Sequence, residues 1–256
     1  MKKSSIVIAM LLASSISTVT AFASTDKVNS VEVSLNHYNY SYEERQGSYV
    51  PDSEKAWMNG AHLSYKSQDS NTKEYWEARY DVTNQNTHYD GHYLVSGLPV
   101  QSTTENKISD FQVVYAVPIN DKKNQYVYAG IGNRNWKRSL SANQNETYEW
   151  SYIPVGYRNE FKINKKVDGA VDVSAKFMFD GTMKAEEDNL KFTLGNKPGF
   201  RAEVPITYKM DTEWALKLTP WYEFSAIGRS NVVGGYYEPD SVTHQYGVNV
   251  GVQYSF

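Results

Sequence analysis

The last twelve residues alternate between two chemistries. Tyr246, Val248, Val250, Val252, Tyr254 and Phe256 fall on one parity, and Gln245, Gly247, Asn249, Gly251, Gln253 and Ser255 fall on the other. Side chains of a β-strand point to opposite faces in turn, so a period of two is the signature of a strand with two different faces. One face here is apolar with a ring at each end; the other is polar or small. A slip of one residue would exchange the faces completely, so the register is fixed wherever the two faces meet different surroundings.

The same pattern recurs upstream. Trp214, Leu216, Leu218, Pro220, Tyr222 and Phe224 alternate with Lys217, Thr219, Trp221 and Glu223. Phe200, Ala202, Val204, Ile206 and Tyr208 alternate with Arg201, Glu203, Thr207 and Lys209. Trp76, Ala78, Tyr80 and Val82 oppose Glu77, Arg79 and Asp81, and Val31, Val33 and Leu35 oppose Glu32, Ser34 and Asn36. Between Tyr148 and Phe161 the apolar phase changes, which predicts a β-bulge near Pro154. Turn-rich stretches divide the chain into about ten strands, over 28–41, 56–66, 73–83, 107–118, 125–136, 146–162, 169–181, 198–209, 213–226 and 242–256, or eight if a weak central run is a loop. Short turns (Ser67–Thr72, Ile119–Asn124, Ile163–Asp168, Met210–Thr212) alternate with long connections (Tyr42–Lys55, Thr83–Asn106, Lys137–Asn145, Gly181–Lys197, Ile227–Ser241).

The apolar faces can look inward, as in a soluble β-sandwich or lipocalin-like barrel, or outward into lipid. Strand length, the alternation of short and long connections and the terminal Phe256 favour the outward reading, an all-β, single antiparallel up-and-down transmembrane barrel. Composition agrees: 21 tyrosines stand against 9 phenylalanines and 6 tryptophans, and tyrosine and tryptophan suit the membrane–water boundary. Lys2 and Lys3, the apolar run Ile6–Ala13 and the small-x-small site Ala21-Phe22-Ala23 predict a signal peptide over residues 1–23, leaving 24–256 as one barrel domain. No cysteine occurs, which excludes disulfides, thiolate metal sites and lipid attachment. A net charge of −3 gives no basic excess for nucleic-acid binding.

With the leader and the terminal Tyr254-Ser255-Phe256 stripe, the chain resembles the small outer-membrane β-barrel proteins of Gram-negative bacteria, and its strand number is similar to that of the omptin proteases and the opacity-type adhesins. The resemblance implies outer-membrane localisation. It also implies that Tyr246, Val248, Val250, Val252, Tyr254 and Phe256 form the assembly signal read by the barrel-assembly machinery.

Chemistry is sparser. Omptin-type hydrolysis needs a pair of aspartates facing an Asp-x-His pair; among His37, His62, His88, His92 and His244 only His92 has that spacing, in Asp90-Gly91-His92, and no facing aspartate pair is assigned to it. His88, Asp90 and His92 would share a face in a strand and could hold a metal, but Asp90-Gly91 reads as a turn that breaks the face, so no metal site is assigned. Gly130-Ile131-Gly132 lacks the third glycine and helix of a phosphate loop; no cofactor and no catalytic residue is assigned. Glu77, Arg79, Asp81, Lys176, Arg201, Glu203, Lys217 and Glu223 fall on the inward phase and are expected to fill the lumen as paired charges. Arg134, Lys137 and Arg138 lie at the outer end of a strand, where they would contact lipopolysaccharide phosphates. The expected function is a monomeric, non-enzymatic surface protein acting through long extracellular loops on an unknown ligand. A narrow pore and an outer-membrane hydrolase or lipid-modifying enzyme are the alternatives.

Overall fold

The computed structural model describes residues 26–46, 51–92, 96–141 and 144–256; the leader expected over 1–23 lies outside them. Seven long strands come first: β1 (Lys27–Arg45), β2 (Ser53–Asp69), β3 (Tyr75–His92), β4 (Pro99–Pro118), β5 (Gln125–Ser141), β6 (Gln144–Lys162) and β7 (Val167–Ala185). An eighth stave is broken into β8 (Leu190–Thr193), β9 (Gly195–Asn196), β10 (Pro198–Glu203) and β11 (Ile206–Lys209). β12 (Trp214–Gly228) and β13 (Asp240–Ser255) complete the series. Neighbours pair antiparallel, and β13 returns to β1 from Ser30↔Ser255 to Arg45↔Asp240. The sheet therefore closes as a ten-stave barrel, leaving no free edge to aggregate.

The breaks have local causes. Pro198 and Pro205 bring no N–H to the ladder, and proline interrupts a strand paired on both sides. Around Pro205 the neighbours compensate: Ala170 N donates to the Pro205 carbonyl at 2.9 Å, and Val204 N donates to the Pro220 carbonyl at 3.0 Å. The phase change read in β6 has a different origin from the bulge expected near Pro154. Trp150, Tyr152 and Pro154 all face inward while Ile153 and Val155 face lipid, so the phase is unbroken. The register shift lies between Glu149 and Ser151, where Asp180 and Gly181 of β7 stand opposite the single Trp150 of β6 and Asp180 adopts φ 52°.

The outer wall carries the apolar residues. Leu35, Val82, Phe111, Ile131, Ile153, Val155, Phe177, Leu216, Leu218, Val250 and Val252 are all exposed to the surroundings of the barrel. Rings bracket this band. Trp214 packs on Tyr254 at 4.8 Å and Tyr65 on Trp76 at 4.9 Å at the short-turn end, while His37 stacks on Trp57 at 5.0 Å nearer the other. An apolar belt between aromatic girdles is how a barrel meets a bilayer. At the short-turn end Asn29 N donates to the Phe256 carbonyl and Phe256 N donates to the Asn29 carbonyl, both at 2.9 Å, so the terminal residue is part of the ladder.

The connections expected to be long are mostly strand. β3 runs to His92, β4 begins at Pro99, and β6 begins at Gln144. A stave of 19 residues, such as β1, rises about 50 Å at about 3.4 Å per residue and a tilt of about 40°. That is roughly twice the height of the ~25 Å apolar band. The polar stretches read as loops pair with one another and extend the wall as a collar. His88, Asp90 and His92 belong to it: they lie on the exposed face of a continuous strand, not in a turn.

Candidate functional site in the barrel interior

The inward phase fills the lumen in four levels. At the short-turn end is an open cup of about 850 Å³, lined among others by Glu32, Lys66, Arg158, Glu160, Asp168 and Lys217. Its charges are matched side to side. Lys217 pairs with Glu32, Arg79 donates to Glu77 at 2.9 Å and to Glu203 at 3.1 Å, and Arg158 donates to Glu160 at 2.9 Å.

At mid-height the staves are tied across the lumen. Glu223, 1% exposed, accepts from Arg134 at 2.5 Å, Lys176 at 2.8 Å and Arg201 at 3.0 Å. Arg134 also donates to Asp110 at 2.7 Å, and Tyr152 Oη donates to the same carboxylate at 2.5 Å. Arg201 closes the set on Glu203 at 2.6 Å. A carboxylate out of water is tolerable only when its partners surround it, and Glu223 with three cations meets that condition. The free space left among these groups is about 60 Å³, room for one or two waters. His62 and Asn36 add hydrogen bonds to Asp81 at 2.9 and 3.2 Å.

Above this hub the interior is filled mainly by aromatic side chains. Tyr38, Tyr40, Tyr42, Trp136, Tyr148, Trp150, Trp221 and Met58 form one buried cluster with Met178, Met183, Phe192, Leu194 and Ile227. Glycines opposite tyrosines let the rings lie flat on the wall. A Cβ at Gly132 would sit 2.2 Å from the Tyr152 ring, and one at Gly156 would sit 2.2 Å from the Tyr128 ring.

A second ionic knot caps the cluster. Arg138, 1% exposed, donates to Glu54 at 2.7 Å and Glu146 at 2.9 Å, with Glu44 at 3.8 Å. Thr87 and Asn106 also donate to Glu54, at 2.6 and 2.8 Å, and the guanidinium lies 4.6 Å from the Tyr42 ring centre. The connection between β12 and β13 folds onto this knot. Glu238 accepts from Tyr148 Oη at 2.7 Å, and its backbone pairs with Ser230. Burial, reinforced by the neighbouring Glu146 carboxylate, pushes the Glu238 carboxyl up to about 8.

The sequence-predicted residues therefore divide. Glu77, Arg79, Asp81, Lys176, Arg201, Glu203, Lys217 and Glu223 are brought together in the two lower levels. Arg134 and Arg138 do not reach the lipopolysaccharide side. Both point inward and are consumed by Asp110, Glu223, Glu54 and Glu146. Strand geometry is the reason: positions 134, 136 and 138 share one face, and only Lys137 stands on the other. Sequence reasoning grouped the three by proximity and so missed Glu54, Asp110, Glu146 and Glu238 as partners. Extending the outward phase of Val127 and Ile131 to Lys137 would have turned Arg134 and Arg138 inward. Tyr246, Val250 and Val252 are exposed on the outer wall, and Tyr254 stacks on Phe256 at 5.8 Å. Among the described residues no group of three or more His, Asp or Glu side chains is arranged to hold a metal.

An apolar outer belt, a filled polar interior and full closure define the class: the chain is an outer-membrane β-barrel. Its structure is like that of the outer membrane protease OmpT from Escherichia coli, with a TM-score of 0.55 at 10% identity over 93% of this chain and 99% of that one. The translocator domain of the autotransporter NalP from Neisseria meningitidis (TM-score 0.46, 9% identity, 98% of this chain and 96% of that one) and the attachment invasion locus protein Ail of Yersinia pestis (0.37, 13%, 89% and 99%) also match. At these identities the likeness concerns the fold alone. No family model matches the chain, and no curated protein matches it.

Proposed function

We propose that this barrel is a non-enzymatic surface protein that engages an external partner through its collar while its lumen stays shut. The observation that carries the reading is the mid-lumen hub, where Arg134, Lys176 and Arg201 converge on Glu223 and leave about 60 Å³ of free space. A hydrated ion needs a continuous column of water, and this hub with the aromatic cluster above it offers none. Material that does not pass through such a barrel meets it at its rim, and the strand extensions supply a tall, polar rim there. The partners that go with this reading are outer-membrane lipid and lipopolysaccharide around the wall, the barrel-assembly machinery at the Tyr246-to-Phe256 stripe, and an extracellular ligand; the protein acts as a monomer.

The narrow-pore reading is favoured by the open cup of about 850 Å³ at the short-turn end. Planar-bilayer recording separates the two. The expected result is no steady unitary conductance from the folded protein; regular conductance steps would overturn the proposal. The collar is tested in parallel by shortening the β3–β4 hairpin above the His88–Thr103 pair, which should abolish attachment of expressing cells to a host or abiotic surface.

A further inference from the structure

The register aligns four lysines in one row on the outer wall. Lys107 of β4 lies opposite Lys137 of β5, Lys137 opposite Thr147 of β6, Thr147 opposite Lys184 of β7, and Lys184 opposite Lys191 of β8. Their neighbours Asn106, Trp136, Tyr148, Met183 and Phe192 are buried inside, so the row faces outward. Lys107 and Lys184 keep side-chain exposures of 53% and 44%. Like charges directly opposite each other in a sheet repel. Carboxylates answer only part of this: Glu105 lies 3.1 Å from Lys107 and Glu186 lies 2.6 Å from Lys184. Among the described residues Lys137 and Lys191 have no ion pair.

At about 4.8 Å between strands, the five staves make the row about 19 Å long. It does not run level. Lys107 stands four residues above the exposed Phe111, while Lys137 stands six above the exposed Ile131. The row starts near the upper edge of the apolar band and climbs away from it, because cross-strand lines tilt with the staves.

We propose that this row is a binding site for the phosphate-bearing sugar core of lipopolysaccharide. The proposal rests on the reading of the chain as an outer-membrane surface barrel, and it replaces the lipopolysaccharide contact expected at Arg134 and Arg138. A glycolipid core begins at the lipid boundary and extends outward, which is the path the row takes. Lysine ammonium groups bind phosphate as point charges without needing a fixed fork geometry. Several such groups in line suit a chain of separated phosphates.

The test uses the purified full barrel in detergent and the variant carrying Lys107→Gln, Lys137→Gln, Lys184→Gln and Lys191→Gln, with folding of both checked by heat-modifiable mobility. Intact lipopolysaccharide should bind the variant at least about tenfold more weakly than the parent, and raising salt from about 0.1 M to about 1 M should erase most of the difference. Dephosphorylated lipopolysaccharide should bind both proteins alike and weakly. Equal binding of intact lipopolysaccharide by parent and variant would overturn the assignment, as would equal binding of the intact and dephosphorylated forms. A soluble sulfated polysaccharide supplies the third arm: if the row binds it as tightly as it binds lipopolysaccharide, the site is for external polyanions instead. Failure here would leave the conductance and attachment results standing, so it is distinguishable from failure of the surface-barrel reading.

Discussion

Replacing Arg138 by leucine probes how the collar end is held. The guanidinium is the only cation within 4.0 Å of Glu54, Glu146 and Glu44 in the described structure, and Glu54 is fully buried. R138L keeps much of the side-chain volume but leaves three carboxylates facing one another around an apolar stub. Breaking a buried ion pair by removing one partner costs about 3–5 kcal/mol, and the lost stacking on Tyr42 and Trp136, at 4.6 and 5.4 Å, adds about 1 kcal/mol. With a denaturant slope of about 2 kcal/mol per molar urea, the unfolding midpoint of the refolded barrel should fall by roughly 2–3 M. The same protein carries its own control. Adding Glu54→Gln to R138L removes the most buried of the stranded charges, so the double variant should recover part of the loss, and a double-mutant cycle reads the coupling directly. The assay is loss of the heat-modifiable band in urea at neutral pH. A midpoint for R138L within about 0.3 M of the parent would refute the idea that this knot holds the staves together.

Two further outcomes are expected. Folded Glu238 keeps a proton up to about pH 8 that the unfolded chain sheds near 4.5. The folded connection over the Arg138 knot is therefore most stable below pH 4.5, and it weakens by about 1.4 kcal/mol per unit as pH rises toward 8. Trypsin cleavage at Arg229, normalised to a peptide substrate, should climb between pH 6.5 and 8.5 and lose that slope in Glu238→Gln; an unchanged slope in the variant would refute it. Phe256→Ser keeps the backbone bonds to Asn29 while removing the terminal ring. It should leave refolding into detergent unchanged yet cut the amount of folded barrel in the outer membrane several-fold. Equal losses in both measurements would mean that the ring serves stability and not recognition.

Much of the wall was legible because lipid imposes a single rule on it. Every outward residue in the belt must be apolar, so β12 and β13 declared their phase along their whole length, and the charges opposite them could only point inward. The collar was illegible for the converse reason. Above the lipid both faces are wet or polar, alternation loses its contrast, and segments such as Thr83–His92 read as loops although they pair residue by residue with β4. The interior knots were hidden by a different effect. Arg134 and Asp110 are cross-strand partners on adjacent staves, but Glu223 meets Arg134 across the lumen from 89 positions away, and no local pattern encodes that distance. Aromatic residues blurred the phase of β6, since Trp150 and Tyr152 line the interior while Ile153 and Val155 face lipid.

The cup below the Glu223 hub has one further consequence. Under the proposed shut lumen, water, ions and small solutes that enter it from the short-turn side would find a cul-de-sac and leave the way they came. A cell could then crowd its surface with many copies of such a barrel without loosening its barrier to toxic compounds, a freedom that an open conduit of the same width would not give it.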